Sequence, residues 1–373
     1  MGCLCCKKKK LTPLFIEVPE EQGKELEEKK NIPKLYDYVI HKLLGQGACG
    51  KVFLVSLKTN PEKYYAMKTL KKEDLEVNKE KNERDILIKL KSPFVTNIRA
   101  AFQDEGHLYL VLEYASGKDL FTLLGNQTNY VLDLDWARFY MAELVLALEA
   151  LHKQNIVHRD LKLENILIDS EGHIKLTDFG MSKLLGDKGK AKTFCGTLNY
   201  IAPEIIFRKE YDKAVDWWSF GCVMFGILEG YFPFDIRKEN IKKIRENSFA
   251  KIRFNKIRDE SAKDLIRQLL IVDPKKRLGS GKDGINKIKK HAFFKKIDWD
   301  VAENRGLKPP FIPPKEENKN EHSISIKKPE EAYDIDERFR DFSFYRKSDP
   351  EDSSGDGNGE KLIGKENIEI SYK

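Results

Sequence analysis

The strongest constraint in this sequence is a polar segment that is followed closely by an acidic turn. The segment reads His158-Arg159-Asp160-Leu161-Lys162-Leu163-Glu164-Asn165, and Asp178-Phe179-Gly180 begins thirteen residues after Asn165. Phosphoryl transfer from a magnesium nucleotide needs a group that orients the attacking hydroxyl, a cation at the transferring phosphate and oxygen ligands for the metal. The pattern supplies all three, and it predicts two neighbouring loops that build one site.

The overall composition limits the kinds of protein that this chain can form. It has 373 residues, of which 40% are hydrophobic, and this is enough for one large or two moderate domains. The longest apolar run of the globular part, residues 217–228, is about half as long as a membrane-spanning helix. The polybasic start does not have the apolar pattern of a secretory signal.

The net charge limits the expected partners, and the cysteine spacing indicates the cellular environment. The net charge of +7 comes from 67 basic and 60 acidic residues, and no aromatic–basic platform accompanies it, so no nucleic-acid partner is expected. The six cysteines have neither zinc-ligand spacing nor the pattern of a disulfide framework, which indicates an intracellular chain.

Hydrophobic patterning predicts a small sheet-rich part and a larger helical part. Before Gly117, the predicted strands are Tyr38–Leu44, Val52–Leu57, Tyr64–Leu70 and Leu108–Tyr114, and the predicted helix is Glu80–Leu90. After Gly117, long helices are predicted at Leu134–Gln154, Asp216–Leu228 and Ala262–Ile271. Residues 1–37 are rich in lysine and glutamate, and we expect them to be mostly disordered.

A glycine-rich turn lies between the first two predicted strands. It reads Gly45-Gln46-Gly47-Ala48-Cys49-Gly50, with Leu44 before it and Val52 after it. Glycines allow backbone amides to approach phosphate oxygens closely. A tight hairpin is the alternative, but a dinucleotide-binding fold would need a helix directly after the glycines. The strand that follows favours a flap over ATP.

These motifs together resemble the eukaryotic protein kinase family. Ala202-Pro203-Glu204 is similar to the end of the family's activation segment, and Asp216-Trp217-Trp218-Ser219-Phe220-Gly221 is similar to the helix that braces its catalytic loop. The resemblance covers residues 38–294. It implies an α+β, bilobal protein kinase fold with a small β-rich N-lobe and a larger helical C-lobe.

Three further motifs resemble the AGC group of serine/threonine kinases, which includes cyclic-nucleotide-dependent, Akt-like and S6-kinase-like enzymes. They are Thr193-Phe194-Cys195-Gly196-Thr197, Pro309-Pro310-Phe311-Ile312-Pro313 and Phe339-Arg340-Asp341-Phe342-Ser343-Phe344. The resemblance implies an AGC C-terminal extension with a hydrophobic motif over residues 295–347. Residues 348–360 are rich in serine, aspartate and glycine, and we expect a disordered tail over residues 348–373. Ser323 and Ser325 are both candidates for the turn motif of this extension.

The family resemblance assigns the nucleotide contacts. Lys68 is implied to hold the α- and β-phosphates of ATP and to pair with a helix glutamate, which is Glu83, with Glu80 as the alternative. The remaining implied contacts are the Leu44–Gly50 turn, Val52, Ala66 on the strand of Lys68, the backbone of Glu113 and Ala115 at the adenine edge, and Leu167.

The resemblance also assigns the catalytic groups. Asp160 is the implied base, or at least the group that aligns the acceptor hydroxyl, and Lys162 neutralises charge on the γ-phosphate. Asn165 and Asp178 are implied to hold Mg²⁺ through hard oxygen ligands. Lys162, two residues after Asp160, favours serine or threonine acceptors over tyrosine. In addition, Glu204 is implied to pair with Arg277.

Two phosphorylation sites are implied. Phosphate on Thr193 would add about −1.5 to −2 charges at neutral pH, and it implies an upstream activating kinase as a partner. The candidate receptors of this phosphate are Arg159, Lys183 and Lys79. Phosphate on Ser343 would help to dock Phe339 and Phe342 on the small lobe and would hold Glu83 inward.

Asp119, Glu164 and Thr197 are the candidate contacts for a protein substrate, and the two carboxylates favour substrates with basic motifs. We expect an arginine three residues before the acceptor. The chain departs from its relatives at Asn199 and at Gly226, where arginine-preferring relatives often carry a glutamate. This departure weakens the case for an arginine two residues before the acceptor. We expect a monomer.

The N-terminus carries a possible acylation signal, although Cys6 stands where the myristoylation motif has serine or threonine. Gly2 is the candidate for myristate, Cys3, Cys5 and Cys6 are candidates for palmitate, and four lysines follow. One myristoyl chain binds membranes only marginally, with an association constant of roughly 10⁴ M⁻¹, so the lysines and palmitate supply the second signal. We expect association with the cytoplasmic face of a membrane, with a cytoplasmic pool.

The sequence therefore predicts a membrane-anchored serine/threonine protein kinase that uses ATP and Mg²⁺ and is activated by phosphorylation. Two alternatives remain open. One is a membrane-tethered pseudokinase or scaffold that only binds, against which the intact set of Lys68, Asp160, Asn165 and Asp178 speaks. The other is a small-molecule phosphotransferase, against which the complete activation segment speaks.

Overall fold

An antiparallel sheet forms the small lobe. The computed structural model describes residues 32–47, 50–186, 189–234, 252–314, 324–325 and 336–346. The strands are β1 (Tyr38–Gly47), β2 (Gly50–Leu57), β3 (Asn60–Lys71), β4 (Ile98–Gln103) and β5 (His107–Glu113), and helix α1 (Val77–Lys89) crosses the sheet. Alternate side chains of β5 enter two different cores: Leu108, Leu110 and Leu112 face α1, whereas Tyr109 and Val111 join the cluster on the other face.

The large lobe is built around two long helices. Its strands are the short β6 (Ile156–Val157), β7 (Ile166–Ile168), β8 (Ile174–Leu176) and β9 (Lys183–Leu184). Its helices are α2 (Leu120–Gly125), α3 (Leu134–Lys153), α4 (Pro203–Ile206), α5 (Ala214–Glu229), α6 (Glu260–Leu269), α7 (Gly284–Lys289) and α8 (Trp299–Glu303). Every residue of α5 is buried, which explains why its sequence is apolar on all sides. Gly230 ends α5 with φ +81°, a left-handed conformation that favours glycine.

The C-terminal extension contacts both lobes. Arg305 bonds Asp169 at 2.5 Å, and the chain then passes Gly117 and Gly172 so closely that a Cβ at either glycine would clash with residues 309–313. Further along, β10 (Ile324–Ser325) pairs with β1, and β11 (Phe344–Tyr345) pairs with β4. The sheet order is β10-β1-β2-β3-β5-β4-β11, so the extension supplies both of its outermost strands.

The predicted α+β fold with a β-rich and a helical lobe is confirmed. The structure adds β4, β10 and β11, which the sequence patterns did not predict. Residues 32–37 were included in the predicted disordered segment, but Ile32 is buried and packs in the cluster that contains Tyr38. Within the described part of the chain, no helix has both the length and the apolarity to cross a membrane.

Candidate active site

A cleft of about 900 Å³ collects most of the residues that were predicted to bind a nucleotide or a substrate. They come from the glycine-rich turn, the sheet, the hinge that joins the lobes, and the catalytic loop. They are Leu44, Gly45, Gln46, Gly47, Gly50, Val52, Ala66, Lys68, Glu83, Glu113, Ala115, Asp119, Lys162, Glu164, Asn165, Leu167 and Asp178. Ala48 and Cys49, at the tip of the turn, lie outside the described residues.

Lys68 is held between a helix and the second loop of the opening motif. Its Nζ lies 2.7 Å from Glu83 Oε1 and 3.7 Å from Asp178 Oδ1. Glu83 is thus the partner of Lys68, and Glu80 is not. Glu80 is also buried. Its burial raises its pKa, and the nearby Glu83 carboxylate raises it further. The buried pair of Lys68 and Glu83 ties α1 to β3 in an arrangement that leaves Lys68 at the wall of the cleft.

Asp160 is surrounded by donors. Its Oδ2 accepts from Lys162 Nζ at 2.7 Å, and its Oδ1 accepts from Thr197 Oγ1 at 2.7 Å. Asn165 Nδ2 donates to the backbone carbonyl of Asp160 at 2.9 Å. Burial opposes the charge on Lys162, but the hydrogen bond and the attraction from Asp160 outweigh it and raise the pKa of Lys162. The Asp160 side chain therefore favours the charged ammonium form of Lys162.

Asn165 and Asp178 fit the role of metal ligands. Because Asn165 Nδ2 is engaged by Asp160, the amide oxygen is the atom that remains for a cation. Burial disfavours the charge on Asp178, but Lys68, His158 and Lys162 together with the amide of Gly180 outweigh it and lower its pKa. An ionised carboxylate and an amide oxygen on the same cleft are the hard donors that Mg²⁺ prefers.

A buried aspartate on α5 braces the catalytic loop. Asp216 accepts hydrogen bonds from the backbone amides of His158 at 3.0 Å and Arg159 at 2.9 Å, and its Oδ2 lies 2.8 Å from His152 Nε2. Arg159 and Asp178 have φ values of +69° and +63°, which is unusual for residues with a side chain. The bracing by Asp216 fits this strained backbone, because such conformations persist only where their surroundings enforce them.

We expect the free energy of unfolding to depend on pH through Asp216. Burial disfavours its charge, but His152, His158 and the amide of Arg159 outweigh burial and lower its pKa. The unfolded chain therefore binds the proton more tightly, so the contribution of Asp216 is complete above about pH 4 and is lost as pH falls through the lower folded value. We expect Asp216→Asn to be destabilised at neutral pH, with the difference from wild type shrinking below about pH 4.

Urea unfolding of both proteins over this pH range measures the effect, and the exposed Asp283→Asn is the matched control. A difference between Asp216→Asn and wild type that stays constant down to about pH 3 would contradict the prediction.

The activation segment packs against the catalytic loop. Arg159 Nη1 donates to the Tyr211 hydroxyl at 3.0 Å, and this hydroxyl donates to the Thr193 carbonyl at 2.8 Å. Thr193 itself is exposed. Gly196 has φ +109°, and a Cβ there would lie 2.7 Å from the Arg159 carbonyl. Of the three predicted phosphate receptors, the described contacts connect Arg159 to Thr193, whereas Lys79 is exposed on α1 and Lys183 lies in β9.

The hydrophobic motif is docked on the small lobe. Phe339 and Phe342 are 0% exposed and join the main core. Gln103 Nε2 donates to the Phe339 carbonyl at 2.8 Å, and the Arg84 guanidinium lies 5.4 Å from the centroid of the Phe342 ring. The docking therefore has both apolar and hydrogen-bonding support, and the phosphorylation of Ser343 stays a prediction.

The predicted substrate contacts differ in their availability. Glu164 is exposed at the cleft, whereas Asp119 uses both carboxylate oxygens to cap α2 through Thr122. Thr197 bonds Asp160, so its described role is to join the activation segment to the catalytic loop. Among the described residues, a Cβ at Gly226 would meet only Leu163, at 3.9 Å, which is an ordinary van der Waals contact.

Three of the residues that the sequence analysis missed are of particular interest. Thr96 and Thr177 line the cleft, and Tyr211 connects Arg159 to Thr193. Tyr211 comes shortly before the bracing helix α5, but no spacing rule links it to the catalytic loop. The predicted pair of Glu204 and Arg277 is present, with both Arg277 terminal nitrogens bonded to the carboxylate at 2.7 Å and 2.9 Å.

Two lobes, one β-rich and one helical, meet at a cleft. The cleft has a Lys–Glu pair and a candidate metal site, and beside it lies an aspartate held by hydrogen-bond donors. These features define the protein-kinase-like class of folds. A family comparison gives the narrower assignment: residues 38–294 match the model of the protein kinase domain. The chain belongs to the protein kinase family, and the predicted AGC-group membership is confirmed by its relatives.

These relatives are ribosomal protein S6 kinases. The chain is 46% identical over 280 residues to ribosomal protein S6 kinase alpha-3 of Homo sapiens, which covers 73% of this chain and 37% of the relative. It is 41% identical over 336 residues to ribosomal protein S6 kinase alpha-2 of Mus musculus, which covers 86% of this chain and 44% of the relative. The chain thus spans less than half the length of these curated relatives.

Proposed function

We propose that this chain is a serine/threonine protein kinase that transfers the γ-phosphate of ATP to a protein hydroxyl. The observation that carries the proposal is the position of Asp160, which is hydrogen-bonded to Lys162, Thr197 and Asn165 beside the cleft that holds Lys68. The pseudokinase alternative would not require Asp160 to keep this full set of donors.

The arrangement supports a mechanism that relies on positioning and electrostatics. Lys68, fixed by Glu83, binds phosphate oxygens of the nucleotide. Asp160 orients the acceptor hydroxyl and receives its proton, while Lys162 offsets negative charge as the phosphate moves. Asn165 and Asp178 would hold Mg²⁺, which would neutralise phosphate charge when bound. Backbone amides of the glycine-rich turn would contact the phosphates.

Basic protein segments are the proposed substrates. Glu164 is exposed at the cleft, and a carboxylate in this position attracts an arginine on a bound peptide. We expect an arginine three residues before the acceptor serine to raise kcat/KM by about tenfold or more relative to alanine, which is the value of one charge-assisted hydrogen bond. Paired peptides that differ at this position measure the ratio.

A variant tests the origin of this preference. Glu164→Gln is expected to reduce the ratio between the arginine and alanine peptides, whereas Gln at the exposed Glu62 is expected to leave the ratio unchanged. Equal rates for the two peptides in the wild-type enzyme would reject the basic-motif proposal but not the kinase activity.

Phosphorylation of Thr193 and Ser343 is the proposed regulation. Thr193 is exposed. The Tyr211 hydroxyl connects its backbone carbonyl to the guanidinium of Arg159, which precedes Asp160 in the chain. Phosphate on Thr193 thus gains a cation that is rigidly connected to the catalytic loop. Mass spectrometry of the active enzyme and the activity of Thr193→Ala test this step. An active wild-type enzyme that carries no phosphate on Thr193 would argue against it.

Membrane anchoring is proposed from the sequence, since residues 1–31, with Gly2, Cys3, Cys5 and Cys6, lie outside the described residues. Gly2→Ala removes the acceptor of myristate, so we expect this variant to move from the membrane pellet to the supernatant. Fractionation of cells that express the full chain measures the shift, and Gly106→Ala, in an open surface turn, is the control. A Gly2→Ala protein that still pellets completely would overturn myristate anchoring.

A further inference from the structure

Thr96 lines the cleft with a hydroxyl that has no hydrogen-bond partner. The residue is 3% exposed, and the cleft that it helps to line is also lined by Ala66, Leu112 and Leu167. Its Oγ1 is buried and forms no hydrogen bond with any residue that the structure describes. A buried hydroxyl at the cleft wall thus has hydrogen-bonding capacity that no described residue uses.

The position of Thr96 is fixed by the backbone on both sides. Its own amide donates to the Leu176 carbonyl at 3.0 Å. The next residue, Asn97, accepts a hydrogen bond from the Glu113 amide at 3.0 Å and donates its own amide to the Glu113 carboxylate at 3.2 Å. Glu113 is the hinge residue whose backbone was predicted to read the adenine edge, so Thr96 is rigidly connected to that edge of the cleft.

A buried hydroxyl without a partner destabilises a fold, and a hydrogen bond made by a ligand removes that penalty. The adenine base has one group that suits an unpaired acceptor, because its 6-amino group carries two N–H bonds. The hinge backbone accepts one of them in the predicted binding mode. The second N–H also needs an acceptor once the base is enclosed, and the unpartnered Thr96 hydroxyl lines the same cleft.

We infer that Thr96 Oγ1 accepts a hydrogen bond from the 6-amino group of ATP, directly or through one bound water. This inference rests on the proposed function, since it requires ATP in the cleft. It assigns to Thr96 a role in nucleotide recognition that is separate from the phosphate contacts of Lys68 and from the chemistry at Asp160.

The test pairs a protein variant with a ligand variant. Thr96→Val removes the hydroxyl and keeps the branched shape, whereas Thr96→Ser keeps the hydroxyl. Purine riboside 5′-triphosphate is ATP without its 6-amino group. Isothermal titration calorimetry of the full chain measures the Kd of each combination with Mg²⁺ present, and thermal unfolding measures the ligand-free proteins.

Thr96→Val is expected to bind ATP roughly three- to tenfold more weakly, which corresponds to one neutral hydrogen bond, and to bind purine riboside triphosphate as wild type does. Thr96→Ser is expected to stay within about twofold of wild type for ATP. The ligand-free Thr96→Val protein is expected to melt about 1–3 °C higher, because an unpaired polar group is gone.

An unchanged Kd for ATP in Thr96→Val would overturn the inference, and so would equal losses of affinity for the two triphosphates. These outcomes would leave the proposed kinase function intact. A wild-type chain that binds neither triphosphate would instead reject ATP binding itself, and the proposed function with it.

Discussion

Asp160→Asn is expected to lower the rate of phosphate transfer by about 10²–10⁴-fold. Asparagine keeps the shape of the side chain and its contact with Thr197, but it cannot receive the proton of the acceptor hydroxyl. It also removes the negative charge that Lys162 faces at 2.7 Å. Because Asp160 is not among the residues that line the cleft, the affinity for ATP is expected to change much less than the rate.

Transfer of radiolabelled γ-phosphate to an arginine-containing serine peptide measures this loss, and calorimetry with ATP measures binding in parallel. Glu62→Gln, an exposed substitution on β3, is the control for removing one carboxylate. Equal transfer by wild type and Asp160→Asn would reject the kinase proposal. ATP binding without any transfer in the wild type would favour the pseudokinase or scaffold alternative.

Glu204→Gln is expected to destabilise the large lobe by about 3–5 kcal/mol, because it leaves the charge of Arg277 buried without its partner. The Arg277 side chain is 0% exposed and also donates to the carbonyls of Ala214 and Ile271. Its guanidinium lies 5.2 Å from the centroid of the Trp218 ring. Glu204 follows the activation segment, so this pair anchors the end of that segment to α5.

Urea unfolding of wild type, Glu204→Gln, Arg277→Leu and the double variant forms a double-mutant cycle. The double variant is expected to be less destabilised than the sum of the single variants, because it removes both buried charges. Strictly additive losses would mean that the ion pair has no coupling energy, and a loss below about 1 kcal/mol in Glu204→Gln would contradict the prediction.

The catalytic groups were predictable because the chemistry places them in contiguous strings. Asp160, Lys162 and Asn165 lie within six consecutive positions, and Asp178 follows shortly after. The long helices were also predictable, since α3 begins at Leu134 as expected and ends one residue before the predicted Gln154. In both cases the sequence pattern lies within one short segment, so it can be recognised without knowledge of tertiary contacts.

Other features depend on tertiary contacts that leave no local pattern. Every residue of β4 except the last is buried, and Arg99 in its middle hides the strand pattern. The two-residue strands β10 and β11 exist because they pair with β1 and β4. Tyr211 and Thr96 gain their roles only when distant segments meet, so neither stands out in the sequence.

The two strands from the C-terminal extension also have a consequence for solubility. An open sheet exposes unpaired amides and carbonyls along its outer strands, and these are templates for intermolecular pairing. Here β10 pairs with β1 and β11 pairs with β4, so the extension protects both edges of the small-lobe sheet from intermolecular pairing. A kinase domain produced without residues 324–346 would present Val39, Ile40, Ala100 and Ala101 on bare edges. Such a truncated protein should self-associate even where its core remains folded.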